Sequence, residues 1–167
     1  QLDLITLMEE PTLETVREAA ERIKPLVHRT PVFTSESIND ISDVEIFFKC
    51  ENFQKSGSFK MRGAANAILS LSRKELERGV ATHSSGNHAQ ALALAGRLLE
   101  VRVTVVMPEN APAAKKEATL GYGAEVVEYD PKERSREDLA REIAADRGNV
   151  IVPPFDHPDI VSGQGTA

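Results

Sequence analysis

The sequence predicts an α/β fold of three layers, a parallel sheet flanked by helices. Two observations carry this. Between Gly79 and Val152, short apolar runs alternate with longer stretches of helical periodicity. Such alternation gives a parallel sheet with helices on both faces, joined by right-handed crossovers. One of those runs, Val101 to Met107, is almost continuously β-branched, the mark of a strand covered on both sides.

Each element has its own signal. Residues 1–11 carry no strong pattern and read as a loose lead-in. Thr12 caps a helix in which Leu13, Val16, Ala20 and Ile23 recur at helical spacing, with Glu14 in its first turn and Lys24 in its last. Pro25 stops it. His28-Arg29-Thr30-Pro31 is an extended link, because a residue before proline avoids the helical region. Val32 to Thr34 is a short strand, Ser35 to Asn39 one helical turn, and Asp40 to Asp43 a turn. Glu45 to Glu51 is an apolar strand bounded by polar residues. A helix follows Lys60 through Ala64, Ala65, Ile68, Leu69 and Leu71. Then come a strand at 79–83, a loop at 84–88, a helix at 89–99 and the strand at 101–107, which Pro108 ends. A helix at 113–120, a strand at 125–129, a helix at 135–146 and a last strand at 149–152 complete the pattern. Residues 162–167 look like the start of a further helix.

Composition narrows the class. At 167 residues with 41% apolar content, the chain can bury one good core as one domain or two small lobes. No apolar run approaches membrane-spanning length. A net charge of −6 argues against a nucleic-acid or anionic-membrane partner. The single cysteine, Cys50, excludes an internal disulfide framework and reads as a buried, inert thiol. The N-terminus lacks a basic region followed by an apolar one, so the expected location is the cytoplasm.

Chemistry gathers at two stretches. In Ser56-Gly57-Ser58-Phe59-Lys60-Met61-Arg62-Gly63, Ser58 is a candidate helix cap that places Lys60 in the first helical turn. There the positive end of the helix dipole disfavours the ammonium and favours a neutral, nucleophilic amine. Burial or a second cation must supply the rest of the shift. A solvated surface lysine is the ordinary alternative. Ser84-Ser85-Gly86-Asn87-His88 lies between a strand and a helix, where ligands bind in open α/β sheets. Free N–H groups, two hydroxyls and a glycine suit a carboxylate or phosphate; equally, Ser85 or Asn87 merely caps the helix. His83 and His88 have no carboxylate or cysteine beside them in sequence, so no metal site is expected. Gly163-x-Gly165 is a very weak dinucleotide signal.

Together these stretches, followed by Ala89-Gln90, closely resemble the serine/threonine dehydratase and serine racemase family. Further matches are His28-Arg29-Thr30-Pro31, Phe48-Lys49-Cys50-Glu51-Asn52, Val106-Met107-Pro108, Tyr122-Gly123-Ala124-Glu125-Val126-Val127 and Gly163-Gln164-Gly165-Thr166. The resemblance runs from about residue 25 to the end, with the motifs in order. It implies pyridoxal 5'-phosphate as cofactor and the tryptophan-synthase-β-like arrangement known as fold type II. It further implies Lys60 as the catalytic Schiff-base lysine and Phe59 flanking the cofactor ring. Asn87 would bond the ring hydroxyl, and Ser84, Ser85, Asn87 and His88 would surround the substrate carboxylate. The implied reaction converts L-serine or L-threonine to a 2-keto acid and ammonia. Ser85 also permits the alternative, serine racemisation with a dehydratase side reaction, because racemases of this family reprotonate Cα from a serine there.

Members of the family are about twice this length. By resemblance, residues 1–75 belong to the large lobe, 76–152 form a complete small lobe, and 153–167 return into a large lobe only partly present. The phosphate cup and any divalent-cation site fall in the half beyond. The isolated chain is therefore expected to be weakly active or inactive, a third reading being a non-catalytic N-terminal half. The implied partners are a small amino acid and a second copy of the chain, as a homodimer.

Overall fold

Helix α1, Leu13–Ile23, begins where the sequence places it: Thr12 and Thr15 exchange side-chain-to-backbone bonds across the first turn, a capping box that satisfies two end donors. The structure is a computed structural model and describes residues 10–167; the expected lead-in lies almost wholly outside the described residues. Strands β1 (Val32–Phe33) and β2 (Phe48–Lys49) pair antiparallel, Val32 opposite Lys49. The strand expected over 45–51 thus shrinks to two residues. Both strands are exposed, and among the described residues no third strand flanks the pair; an isolated ribbon has little to hold a longer ladder. Between them, α2 (Glu36–Ser42) is longer than the single turn expected, and it absorbs most of the turn assigned to 40–43. It ends at Asp43 with φ 54°, a left-handed stop tolerated by aspartate.

Two short 3₁₀ turns, Glu51–Phe53 and Lys55–Gly57, lead into α3, Lys60–Leu69, whose residues from Met61 to Ile68 are all buried. Helix α4, Arg73–Arg78, was not expected, although Ser72 and Glu75 spell its capping box. Cys50 is only half-buried, its thiol donating to the Phe48 carbonyl at 3.3 Å.

The four later strands, β3 (Val80–His83), β4 (Val103–Pro108), β5 (Glu125–Tyr129) and β6 (Val150–Ile151), form a parallel sheet in the order β5-β4-β3-β6. Helices α5 (Asn87–Leu99), α6 (Ala113–Gly121) and α7 (Arg136–Arg147) connect them. Side chains alternate across the pleat, and β4 shows both sides. Val103, Val105 and Met107 join the core with Leu92 of α5, while Val106 joins Leu139 and Ala140 of α7. Both faces are covered, and the expected fold class stands. The larger core also takes in Ile23, Met61, Ile68 and Ile160, so α1, α3 and α8 share it with the sheet.

Helix α8 runs from Pro158 to Gln164. The segment read as a helix start at 162 is instead its last turn, the first being set by proline at its opening position. Gly163 lies inside this helix against α3, not in a nucleotide-binding turn. A Cβ there would stand 2.7 Å from the Arg62 carbonyl oxygen and from the Gly63 Cα, so the two helix backbones touch. Among the described residues no helix is long and apolar enough to cross a membrane.

Candidate active site

The lysine segment is held by Gln54, buried and bonded at both ends of its amide. Its Oε1 accepts from His28 N at 2.8 Å and Lys55 N at 3.0 Å, and its Nε2 donates to the His28 carbonyl at 2.8 Å. The chain then turns through two residues of positive φ, Ser56 at 60° and Gly57 at 75°. Glycine adopts this without penalty; a serine held there costs of order 1–2 kcal/mol. The hydroxyls of Ser56 and Ser58 are buried without a hydrogen-bond partner. The expected Ser58 cap is therefore absent: its backbone is extended, but its hydroxyl bonds no helix N–H.

Lys60 opens α3, half-buried, with Nζ donating to the Pro154 carbonyl at 2.6 Å and lying 5.2 Å from the Phe59 ring centre. Burial lowers the pKa of its amine. Burial is thus a source of tuning beside the helix end, and the nearby guanidinium of Arg62 is spent elsewhere. Arg62 is buried and bonds Glu51 through Nε at 2.8 Å and Nη2 at 2.7 Å, the His28 carbonyl at 3.3 Å and the Thr166 carbonyl at 3.3 Å. Burial works to raise the Glu51 pKa, but bonds from Arg62 and Thr30 outweigh it and hold the carboxyl below its usual range.

Pro154 follows β6, and β6 pairs with β3. The strands after β3 step away in one direction while β6 returns on its other side. Lys60 therefore reaches the point where strand order reverses, the crevice in which open α/β sheets bind ligands. At the same crevice β3 ends and the Ser84–Gly86 loop begins. Helix α5 starts at Asn87, two residues earlier than expected, with Gly86 as an N-cap that offers no side chain. The cap reading of Ser85 or Asn87 is thereby excluded, and the first N–H groups of the helix have no intrahelical partner. The Ser84 hydroxyl accepts from Gly86 N at 3.3 Å. Asn87 is exposed, and its Oδ1 accepts from Lys115 Nζ at 3.5 Å.

His88 is 2% exposed, with Nε2 3.2 Å from the Val152 carbonyl. A carbonyl oxygen only accepts, so Nε2 carries the proton and Nδ1 is a bare acceptor, buried without a partner. Burial pushes the His88 pKa down to about 4, leaving the ring neutral at pH 7. His83, at the end of β3, lies 3.8 Å from Glu137 and is also lowered by burial. Among the described residues no three His, Cys, Asp or Glu side chains gather as a metal site.

A protein-family model described as pyridoxal-phosphate dependent enzyme matches residues 23–167. The chain belongs to this family. Among curated members it is 50% identical over 157 residues to the L-threo-3-hydroxyaspartate ammonia-lyase of Saccharomyces cerevisiae, covering 94% of this chain and 48% of that protein. It is equally 50% identical to the serine racemase of Schizosaccharomyces pombe, covering 94% and 49%. The solved serine racemase of Dictyostelium discoideum superposes with a TM-score of 0.89 at 46% identity, over 93% of this chain and 51% of that one. The solved maize serine racemase gives 0.90 at 44% identity, over 93% and 47%. The chain spans about half the length of the curated relatives it matches.

In this member of the pyridoxal-phosphate dependent enzyme family the fold brings Lys60, Phe59, Ser84, Ser85, Asn87 and His88 to one end of one sheet. Sequence reasoning missed Gln54, Pro154 and Lys115. Lys115 had a usable signal, since it follows β4 just as the serine loop follows β3.

Proposed function

We propose that the complete protein carrying this chain converts L-serine or L-threonine to a 2-keto acid and ammonia, with Lys60 holding pyridoxal phosphate and moving the Cα proton. The single observation that carries this is the half-buried Lys60 amine, lowered in pKa, at the strand ends where an uncapped helix offers free N–H groups. These residues suit the cofactor: the amine is biased toward its neutral form, and two buried serine hydroxyls beside it await partners. Bound there, pyridoxal phosphate supplies an electron sink that lets the Cα–H bond break.

The chain's own groups do the rest. Lys60 Nζ takes the proton from Cα. The main-chain N–H groups at the start of α5 and the hydroxyls of Ser84 and Ser85 hold the substrate carboxylate. His88 joins through its main-chain N–H, because its ring proton is taken by the Val152 carbonyl. Asn87 orients the cofactor's ring hydroxyl and Phe59 flanks the ring. Cytoplasmic location and homodimer formation belong to the same proposal.

A second reading is serine racemisation, supported by Ser85 and by the likeness to serine racemases. The Ser85 hydroxyl would then return a proton to Cα on the face opposite Lys60. One experiment on the complete protein tests both. Lys60→Ala is expected to cut keto-acid production by about a thousandfold or more; survival at an ordinary rate would sink the lysine assignment. Ser85→Ala is expected to abolish racemisation, read by chiral analysis of recovered serine, while sparing elimination from L-serine. Equal loss of both would remove the two-face argument. The likeness to a hydroxyaspartate ammonia-lyase adds 3-hydroxyaspartate to the substrates assayed.

A further inference from the structure

We propose that Lys115 is the counter-ion of the substrate carboxylate, a binding residue facing the Ser84–His88 loop from the neighbouring helix. This rests on the reading of that loop as the carboxylate site. Helix α6 follows β4 and β4 lies beside β3, so the first turn of α6 stands at the same end of the sheet as the loop. Lys115 Nζ is 3.5 Å from Asn87 Oδ1 and 3.8 Å from where a Cβ on Gly86 would lie. A larger residue than glycine would thus begin to fill the gap between cation and loop.

The charges around the loop need this cation. Ser84, Ser85, Gly86 and Asn87 are uncharged, and the His88 ring is neutral with its proton turned toward Val152. Lys60 is engaged with the Pro154 carbonyl and with its own chemistry. Neutral donors alone would leave a bound carboxylate with its full charge in a partly desolvated place, whereas charge-assisted bonds are roughly twice as strong as neutral ones. Among the described residues Lys115 forms no salt bridge, while its neighbour Lys116 pairs with Glu128. Lys115 is half-buried, and its charge is aimed at the loop instead of an acidic partner.

The test uses the complete protein loaded with cofactor and α-methylserine, which carries the carboxylate but has no Cα proton to lose. Its dissociation constant is read from the cofactor's visible band at several salt concentrations. Lys115→Gln is expected to weaken binding about 10- to 100-fold and to flatten its salt dependence. Lys115→Arg, which keeps the charge, is expected to stay within about threefold. Unchanged affinity in Lys115→Gln would overturn the proposal and leave the loop assignment standing. So would salt-independent binding by the unmodified protein, a result that needs no variant to fold. Failure of the unmodified protein to bind α-methylserine, with the cofactor's band in place, would overturn the loop assignment and this proposal together.

Discussion

Lys60 and Arg62 are two residues apart on one helix and do different work. Arg62 spends its charge on Glu51 and two carbonyls, tying together segments that hold residues 28, 51 and 166; Lys60 keeps its amine for one carbonyl. The sequence marked Lys60 because a lysine after a glycine turn is visible in one dimension. Arg62 could not be placed, because its partners are up to 104 residues away. His88 makes the prediction at this scale. Unfolded, it takes up a proton near pH 6.5; folded, only near about 4. Protons therefore favour the unfolded chain between these values. Stability is full above pH 6.5, falls toward pH 4, and loses nothing more to this group below. The loss amounts to about 3 kcal/mol, with His83 adding in the same direction. Urea midpoints at pH 7, 6, 5 and 4 should show a shallower acid limb in His88→Gln than in the parent; parallel limbs would refute the assignment.

The longer elements were the legible ones. β3 and β4 are buried almost throughout, so their apolar runs stand out; β5 is a partly buried edge strand, and its Val126-Val127 pair still marks its expected span. The β1–β2 pair has no such cover, so apolar sequence there exceeded the ladder that forms. Helix α4 was missed because its six residues are too few for a periodicity, although its cap was written at Ser72 and Glu75. The contact of α3 with α8 was invisible, since only the folded chain sets Gly63 against Gly163. Gly163→Ala would place a methyl group 2.7 Å from backbone atoms of α3. It is expected to cost about 1–3 kcal/mol and, by shifting α3, to weaken cofactor uptake at Lys60. Urea unfolding and the cofactor's absorbance would check both effects; parent-like values would show that the helices can part without harm.

Over the whole molecule, the fold class and the two loops could be read in advance, but not the strand order that brings them together. That order depends on β6 crossing back past β3, which no local pattern encodes. Aromatic residues also escaped expectation. All six phenylalanines are exposed, from 39% at Phe48 to 62% at Phe47. Phe33 and Phe48 lie opposite each other on the exposed β1–β2 pair, and contiguous apolar surface of this kind mediates association. The isolated chain is expected to self-associate with rising concentration and to bind a hydrophobic dye in its folded state. Sedimentation velocity should show this, and replacing Phe33 and Phe47 by serine should reduce it without lowering the unfolding midpoint. A strictly monomeric parent chain at high concentration would refute it.

Past Val152, two successive prolines, Pro153 and Pro154, bring no N–H to the sheet. β6 therefore cannot lengthen, and its last carbonyls are spared from the ladder. Val152 gives its oxygen to the imidazole and Pro154 to the lysine. The interruption thus leaves two holding points two residues apart, and the Lys60 amine gives up the Pro154 oxygen whenever it bonds elsewhere.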